Sequence, residues 1–333
     1  MSLKIFRQPQ DAWPNLLALA YTILGYIAGI TALIAESWVV NAIGVVLLTH
    51  ALVIAAYLTH ECAHNTIFTA NRYNAWLGEA LDWLTGACYG RYEDIRHKHF
   101  RHHVDHADVV AFDFRPLLPR HPVLLWLLKI CEWAYIPAVD LMMHALVVIL
   151  PFRLATRRHL RLRVTTVLAL RVALFALLAV ISLKALLLYA LAYLLFEHSM
   201  RFMDVHQHTY EVWETLERPR TSADDRFDRQ YEQRNTYSNV ISLRRPWLNL
   251  LILNFGYHNA HHVRPTTPWH RLPAVHRELF GDQPGPVLAF RDLLISYHRH
   301  RVARVLNGDP PEMKINDARD FIGVVGVSFL TAH

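Results

Sequence analysis

Cysteine is scarce in this sequence, and its spacing excludes several classes of protein. The three cysteines are Cys62, Cys88 and Cys131, and no two of them form a C-x-x-C pair. An odd number without such a pair excludes a disulfide framework and any iron or zinc site held by four thiolates. An electron carrier with thiolate-bound iron must therefore be a separate protein.

Signatures of nucleotide and nucleic-acid binding are also missing. The chain has no glycine-rich Rossmann fingerprint, no zinc-finger spacing and no RNA-binding motif, although its formal net charge is +6. A basic chain without those motifs fits an anionic membrane face better than a nucleic acid. No A-x-A cleavage signal precedes the first apolar run, so we expect that run to be retained.

Long apolar runs are present instead, and they predict membrane spans. About 20 apolar residues are needed to cross roughly 30 Å of hydrocarbon. The runs predict spans at residues 16–35, 39–59, 164–181 and 185–200. Glu36–Trp38 links the first pair, and the second pair is expected to be two short tilted helices that turn near Lys184.

The stretch Pro122–Leu150 is apolar but carries charged side chains, including Glu132 and Asp140. Charges are unfavourable at the centre of a bilayer. We therefore expect interfacial or half-inserted helices here, with a break near Pro137.

Lysine and arginine placement predicts the orientation of the chain. The segment from His60 to Arg163 contains 13 of them and the tail from Arg201 contains 17, whereas the Glu36–Trp38 link contains none. The positive-inside bias then puts both termini in the cytoplasm. A competing topology makes 133–150 a span and puts the Arg153–Arg163 cluster outside, against that bias.

Three histidine clusters stand out among 22 histidines, each spaced to share one helix face. They are His60 and His64; His99, His102 and His103; and His258, His261 and His262. Neutral imidazole is a good ligand for iron, zinc and copper. Eight imidazoles are too many for one ion, and zinc closes at four ligands, so two redox-active irons fit the count.

The three boxes, H-x3-H, H-x2-HH and H-x2-HH, in this order around two membrane hairpins, resemble those of the membrane fatty-acid desaturase/hydroxylase family. The resemblance implies an all-α integral membrane protein with four transmembrane helices in two hairpins, interfacial helices and a cytosolic helical cap that holds a di-iron site. The cap would comprise residues 60–163 and 201–333 of a single domain, 1–333. The resemblance further implies that the eight box histidines are iron ligands.

A ninth ligand is expected after the last span. The stretch His206-Gln207-His208 resembles the family's Gln-His-Thr motif, which favours His208. If this stretch is helical, residues two apart point in different directions, so His206 and His208 cannot both face one iron. His198, or Asn254 through a water, is the next candidate.

Carboxylates near the boxes have two interpretations, surface charge or acceptors of an imidazole N–H that orient a ligand. These are Glu61, Asp94, Asp105 and Asp108. His97 and His106 are expected to be solvated or to lie outside the ligand set.

The resemblance implies O2-dependent oxidation of a fatty acid or fatty acyl chain at two iron ions. Desaturation is the default reaction. Hydroxylation and oxidative decarboxylation of a free fatty acid to a terminal alkene, known from a bacterial branch with similar boxes, remain open. A non-enzymatic membrane protein that binds metal or haem is the alternative from another class.

The partners implied are the lipid bilayer, O2 and a separate electron donor, namely a ferredoxin, a rubredoxin or a cytochrome with its reductase. No nucleic acid is expected. The active site would face the cytoplasm, at the inner membrane if the source is bacterial. Basic residues near the second box, Arg91, Arg96, Lys98 and Arg101, suggest that an acidic carrier docks there.

Overall fold

The computed structural model describes residues 5–216, 227–281, 287–306 and 317–331. About 71% of it is helical and sheet is almost absent, which confirms the predicted all-α class. The helices are α1 (Ala12–Ile34), α2 (Trp38–Ala63), α3 (Asn71–Thr85), α4 (Tyr92–Asp105), α5 (Pro122–Trp133), α6 (Ala138–Arg153), α7 (Arg161–Ile181), α8 (Leu183–Asp204), α9 (Arg229–Arg234), α10 (His258–Val263), α11 (Leu272–Phe280) and α12 (Phe290–Arg299). Two short strands, β1 (Asp108–Val110) and β2 (Trp213–Thr215), pair in parallel.

Contacts within the described chain group it into two compact units. The spanning unit comprises Met1–Glu93 and Ala145–Ser199, apart from its undescribed first residues. The histidine unit comprises the described parts of Asp94–His144 and Met200–Ala332. A single domain over residues 1–333 stays a prediction.

Four helices are long and apolar enough to cross a membrane, which confirms the four predicted spans. They run over Pro9–Ile34, Trp38–Ala63, Ala155–Ile181 and Leu183–Asp204. The expectation of two short helices in the second pair is wrong, because α7 has 21 residues and α8 has 22. The turn between them lies at Ser182, whose hydroxyl accepts a hydrogen bond from the Ala185 amide at 3.1 Å.

The spans extend beyond their apolar runs because protein groups satisfy their polar ends. At the start of α7, Arg163 donates from Nε to the Cys88 carbonyl at 3.2 Å and also contacts Glu79. α2 likewise continues to Ala63 and carries His60. Polar side chains therefore belong to the same helices as the apolar runs.

Close packing and a buried amide hold the first hairpin together. A Cβ at Gly29 in α1 would lie 2.9 Å from the Leu48 Cβ in α2, so only glycine allows this approach. Asn41 donates from Nδ2 to the Ala32 and Ala35 carbonyls at 2.8 and 2.9 Å. These bonds help to satisfy carbonyls at the end of α1, where the helical hydrogen-bond pattern stops.

The charges of the 122–150 stretch form a buried ion triad in the histidine unit. Arg201 contacts both Glu132 oxygens at 2.5 and 2.9 Å, and it also contacts Asp140. All three side chains are at most 5% exposed. The predicted break near Pro137 is confirmed, since α5 ends at Trp133 and α6 begins at Ala138. Interfacial placement of α5 and α6 stays a prediction.

Candidate metal centre

The second histidine box lies on α4, as its spacing predicts. His99, His102 and His103 occupy the last two turns of this helix. The Nε2 atoms of His99 and His103 lie 3.2 Å apart. The box therefore presents its imidazoles from one helix face.

The third box lies on the short helix α10, which begins at His258. A 3-10 helix, Pro246–Ile252, precedes it, and the chain then turns through Leu253 and Asn254, both with left-handed backbone φ values of 43° and 57°. Asn254 is buried, and its Nδ2 donates to the Trp269 carbonyl at 3.2 Å. This turn and its bond lie just before the start of α10.

Four imidazoles of the histidine unit converge through their Nε2 atoms. The Nε2 of His208 lies 3.0 Å from that of His102 and 2.8 Å from that of His258. The Nε2 atoms of His258 and His262 are 3.0 Å apart. The ligand atoms of all four residues lie within 4.8 Å of one another.

A second set lies beside the first in the same unit. The Nε2 of His103 lies 3.1 Å from that of His261 and 3.2 Å from that of His99. Boxes two and three thus contribute to both sets.

The first box belongs to the spanning unit. His60 and His64 lie at the end of α2, and their ring centroids are 4.8 Å apart. The predicted pairing of these two rings on one helix face is therefore present.

Two of the four converging histidines have their other ring nitrogen held by a strong acceptor. His102 donates from Nδ1 to the Ala107 carbonyl at 2.8 Å. The Nδ1 of His262 lies 2.8 Å from Oε1 of Glu232, a buried carboxylate on α9. A proton on Nδ1 leaves the Nε2 lone pair available to a metal, and the carboxylate raises the basicity of the ring.

His208 is held from its other side by a hydroxyl network. Its Nδ1 lies 3.3 Å from the Thr236 Oγ1, and that hydroxyl donates to the Glu232 carbonyl at 2.7 Å. The Tyr210 ring stacks on His208 with a centroid separation of 4.3 Å. The ring of His208 is thus fixed in orientation as well as in place.

Burial and mutual proximity favour neutral imidazoles at this site. Burial lowers the pKa of His208 well below its ordinary value, and the neighbouring His102 and His258 lower it further. Burial also lowers the pKa of His262, again with a contribution from His258. Neutral rings with converging Nε2 atoms are the donor set that a transition-metal ion requires, so the residues present fit iron.

The ninth-ligand candidates are separated by the fold. α8 ends at Asp204, so His206 and His208 lie beyond it and the helical premise used to separate them is wrong. His208 joins the converging set, whereas His206 donates from Nδ1 to the Phe202 carbonyl at 3.2 Å and packs on Phe321. His198 lies within α8, in the spanning unit.

The carboxylates named from the sequence have varied surroundings. Glu61 accepts a hydrogen bond from the Thr66 hydroxyl at 2.6 Å. Its Oε1 lies 3.7 Å from the Nδ1 of His60. Asp105 accepts from Arg101 at 2.7 Å. Asp94 is half-buried on α4. Glu232, which does contact a box histidine, was missed, because nothing distinguishes it in sequence from other charged residues.

The histidines outside the boxes also differ. His97 is exposed on α4. His106 donates from Nδ1 to the Phe227 carbonyl at 2.7 Å, and its Nε2 is 3.7 Å from Glu232. His106 therefore lies behind the ligand set.

The predicted docking surface near the second box is wrong for two of its four residues. Lys98 is buried and donates to the Ser328 and Thr331 carbonyls at 2.6 and 2.9 Å. Arg101 is also buried and contacts Glu214. Neither cation is available on the surface to an acidic carrier.

A cavity of about 50 Å³ adjoins the converging histidines in the histidine unit. Burial lowers the pKa of the Lys98 amine, in the wall of this cavity, to about 7. The nearby carboxylates of Asp204 and Asp140 raise this pKa, but the effect of burial is larger. Burial raises the pKa of Asp108, also in the wall, to about 7. The lining residues are Lys98, His99, His102, Asp108, Val109, Asp204, Gln207, His208, Phe255, His258, Val327 and Phe329.

Comparison with known proteins agrees with this geometry. Residues 36–293, which include all three boxes, match the family described as Fatty acid desaturase. Searches of curated proteins and of solved structures gave no significant match. The match covers well over half of the chain, and four apolar helices and a histidine cluster accompany it. This chain therefore belongs to the fatty acid desaturase family, a family of membrane oxidoreductases of lipid metabolism.

Proposed function

We propose that the chain is a membrane di-iron oxidase that uses O2 and an external reductant to introduce a C=C bond into a fatty acyl chain. The observation that carries the proposal is the convergence of four Nε2 atoms from His102, His208, His258 and His262. Family membership supports an oxidoreductase that acts on a fatty acyl substrate with O2.

The proposed ligand set divides between two irons. His102, His208, His258 and His262 would hold one ion. His99, His103 and His261 would contribute to the other. His60 and His64, at the end of α2, are the remaining predicted ligands. When bound, the irons supply the oxidising power that an unactivated C–H bond requires and that no side chain offers.

The protein residues keep this site in a competent state. Glu232 and the Ala107 carbonyl orient His262 and His102 so that their Nε2 lone pairs point inward. Tyr210 restrains His208 by stacking.

In desaturation, the substrate loses two hydrogen atoms. These two hydrogens, together with two electrons and two protons from the external donor and the solvent, reduce one O2 to two water molecules. Hydroxylation would instead place one oxygen atom in the product. Decarboxylation of a free acid would release the carboxyl carbon as CO2 and leave a terminal alkene. Placement of the chain within the site selects among these outcomes.

Electrons would come from a separate ferredoxin, rubredoxin or cytochrome, since the three cysteines offer no four-thiolate site. Both termini and the histidine boxes would face the cytoplasm, as the Lys and Arg distribution favours.

Metal analysis and product analysis test the proposal together. The iron-loaded protein is supplied with ascorbate and phenazine methosulfate as a chemical electron source, O2 and a panel of free fatty acids. We expect two irons per chain and an unsaturated product of unchanged carbon number by mass spectrometry. The His102→Ala variant should lose both iron and product.

His97→Ala is the matched control, because it removes an exposed histidine from the same helix. It should keep iron and turnover. A hydroxy acid as product would show that the reaction is hydroxylation. A terminal alkene one carbon shorter than the substrate would show that it is oxidative decarboxylation. A protein that binds haem or zinc but no iron would contradict the whole proposal.

A further inference from the structure

The segment Phe321–Thr331 lies beyond the part of the chain that matches the family, yet it reaches the candidate metal centre. The match ends at residue 293. Val327 and Phe329 line the cavity next to the converging histidines, and the Phe329 ring centroid lies 5.9 Å from that of His99. A wall of the cavity is thus built from residues that the family match does not include.

One buried cation ties this segment to the second box. The Lys98 Nζ donates to the Ser328 carbonyl at 2.6 Å, to the Thr331 carbonyl at 2.9 Å and to the Thr331 hydroxyl at 3.2 Å. An ammonium group has three donors, and here three acceptors are supplied by the same short stretch. Lys98 precedes His99 directly, so the bond joins the wall to the helix that carries the ligands.

Two glycines fix the path of the segment before it reaches the cavity. Gly323 has φ +74°, and a Cβ there would lie 2.1 Å from the Val205 carbonyl oxygen. Gly326 has φ +81°, and its Cβ would lie 2.8 Å from the Phe114 ring. Both the backbone conformation and the space admit only glycine. Val327 and Phe329 are therefore delivered to the cavity by a specified backbone route.

The size and the lining of the cavity indicate what this wall does. The cavity is small: a volume of about 50 Å³ is on the order of one or two water molecules. Most of the lining side chains are polar, and Val327 and Phe329 are two of the four apolar ones. They offer no hydrogen bonds to water, so their side of the cavity is the one that makes entry of water unfavourable. Exclusion of water protects a reactive site from side reactions.

We propose that Val327 and Phe329 seal the candidate oxidation site against water, and that Lys98 is a positioning residue that holds them in place. The proposal rests on the proposed function, because the reaction being protected is the O2-dependent oxidation. It adds a sealing element that the family match does not contain.

The coupling of O2 use to product formation tests the seal. An open site lets O2 take two electrons and two protons and leave as H2O2 before the substrate is oxidised. For Phe329→Ala we expect a fall of about threefold or more in product per O2 consumed, with a matching rise in H2O2. For Phe329→Leu, the product formed per O2 consumed should lie between the values for Phe329→Ala and the wild type.

The rate of azide binding tests the seal without any turnover of substrate. Azide should bind the iron-loaded Phe329→Ala protein several times faster than the wild type, as followed by its absorption band. Phe280→Ala is the matched control, since Phe280 packs on His276 in α11 and does not line the cavity. It should change neither coupling nor azide binding.

Lys98 is tested by amide hydrogen exchange. Lys98→Met should speed amide exchange in residues 327–331 and lower the product formed per O2 consumed. Lys98→Arg keeps the charge and several hydrogen-bond donors, so its exchange rate and its product per O2 should lie closer to the wild-type values. An unchanged coupling ratio and azide rate in Phe329→Ala, at full iron content, would overturn the sealing role alone. A wild-type protein without iron would instead overturn the proposed function.

Discussion

His262 shares its two ring nitrogens between the candidate metal site and Glu232. Its Nε2 lies 3.0 Å from the Nε2 of His258, and its Nδ1 lies 2.8 Å from a Glu232 oxygen. Both residues are buried. The carboxylate thereby decides which nitrogen of His262 carries the proton and which carries the lone pair.

Replacement of Glu232 is expected to weaken iron binding. Glu232→Gln keeps an oxygen acceptor but removes the charge that raises the basicity of His262, so iron affinity should fall by about 10- to 100-fold. Iron titration followed by metal analysis measures this. Glu278→Gln, on the exposed surface of α11, is the control and should bind iron normally. Equal affinities for the two variants would remove Glu232 from the site.

His208 and His206 should behave differently. His208→Ala removes one of four converging ligand atoms, so iron content should drop toward one per chain and turnover should stop. His206→Ala removes a ring that packs on Phe321 and should retain substantial activity. Iron content and product yield of the two variants provide the comparison. The reverse pattern would transfer the ligand role to His206.

The ion triad should be important for stability. Arg201→Met leaves Glu132 and Asp140 buried without their cation, which should lower the free energy of unfolding by roughly 3–5 kcal/mol. Arg299→Met breaks an exposed pair with Asp320 and should cost about 0–1 kcal/mol. Denaturant unfolding in detergent measures both. Similar losses in the two variants would show that the triad is not a special contributor.

Asp108 should make stability depend on pH. Burial raises its pKa to about 7 in the folded protein, whereas the unfolded value is near 3.8. The folded state then binds the extra proton between these values, so stability falls as pH rises from 4 to 7. The raised pKa corresponds to roughly 4 kcal/mol.

Asp108→Asn should remove that fall, as measured by unfolding of the metal-free protein between pH 5 and 8. Asp113→Asn, at a more exposed carboxylate, is the control. Identical pH profiles for the wild type and Asp108→Asn would contradict the assignment.

Chemical labelling tests the predicted orientation. Ser37→Cys should react with a membrane-impermeant thiol reagent added from outside, because its link carries no Lys or Arg. The native cysteines Cys62 and Cys88 are buried and Cys131 is half-buried, so labelling of the unmodified protein supplies the background. Outside labelling of Arg158→Cys would support the competing topology.

Features with short-range causes were predictable from the sequence. The four spans follow from the length of apolar runs, and the faces of the three boxes follow from helical spacing, so both appear as predicted. The lengths of α7 and α8 were not predictable, because partners such as Glu79 and Glu132, distant in sequence, satisfy their polar ends.

The remaining features depend on contacts between residues far apart in the chain. Glu232 meets His262 across 30 positions, and Lys98 meets Thr331 across 233. No local sequence pattern predicts such pairs. From the sequence alone, Lys98 is interpreted as a surface charge beside the second histidine box. The sequence by itself determined the four long apolar helices and the candidate ligand residues, since spacing and hydrophobicity are local properties. Only tertiary packing decided that His208 joins the cluster, that Glu232 orients it and that Phe329 closes it, because these depend on which distant segments share one buried volume.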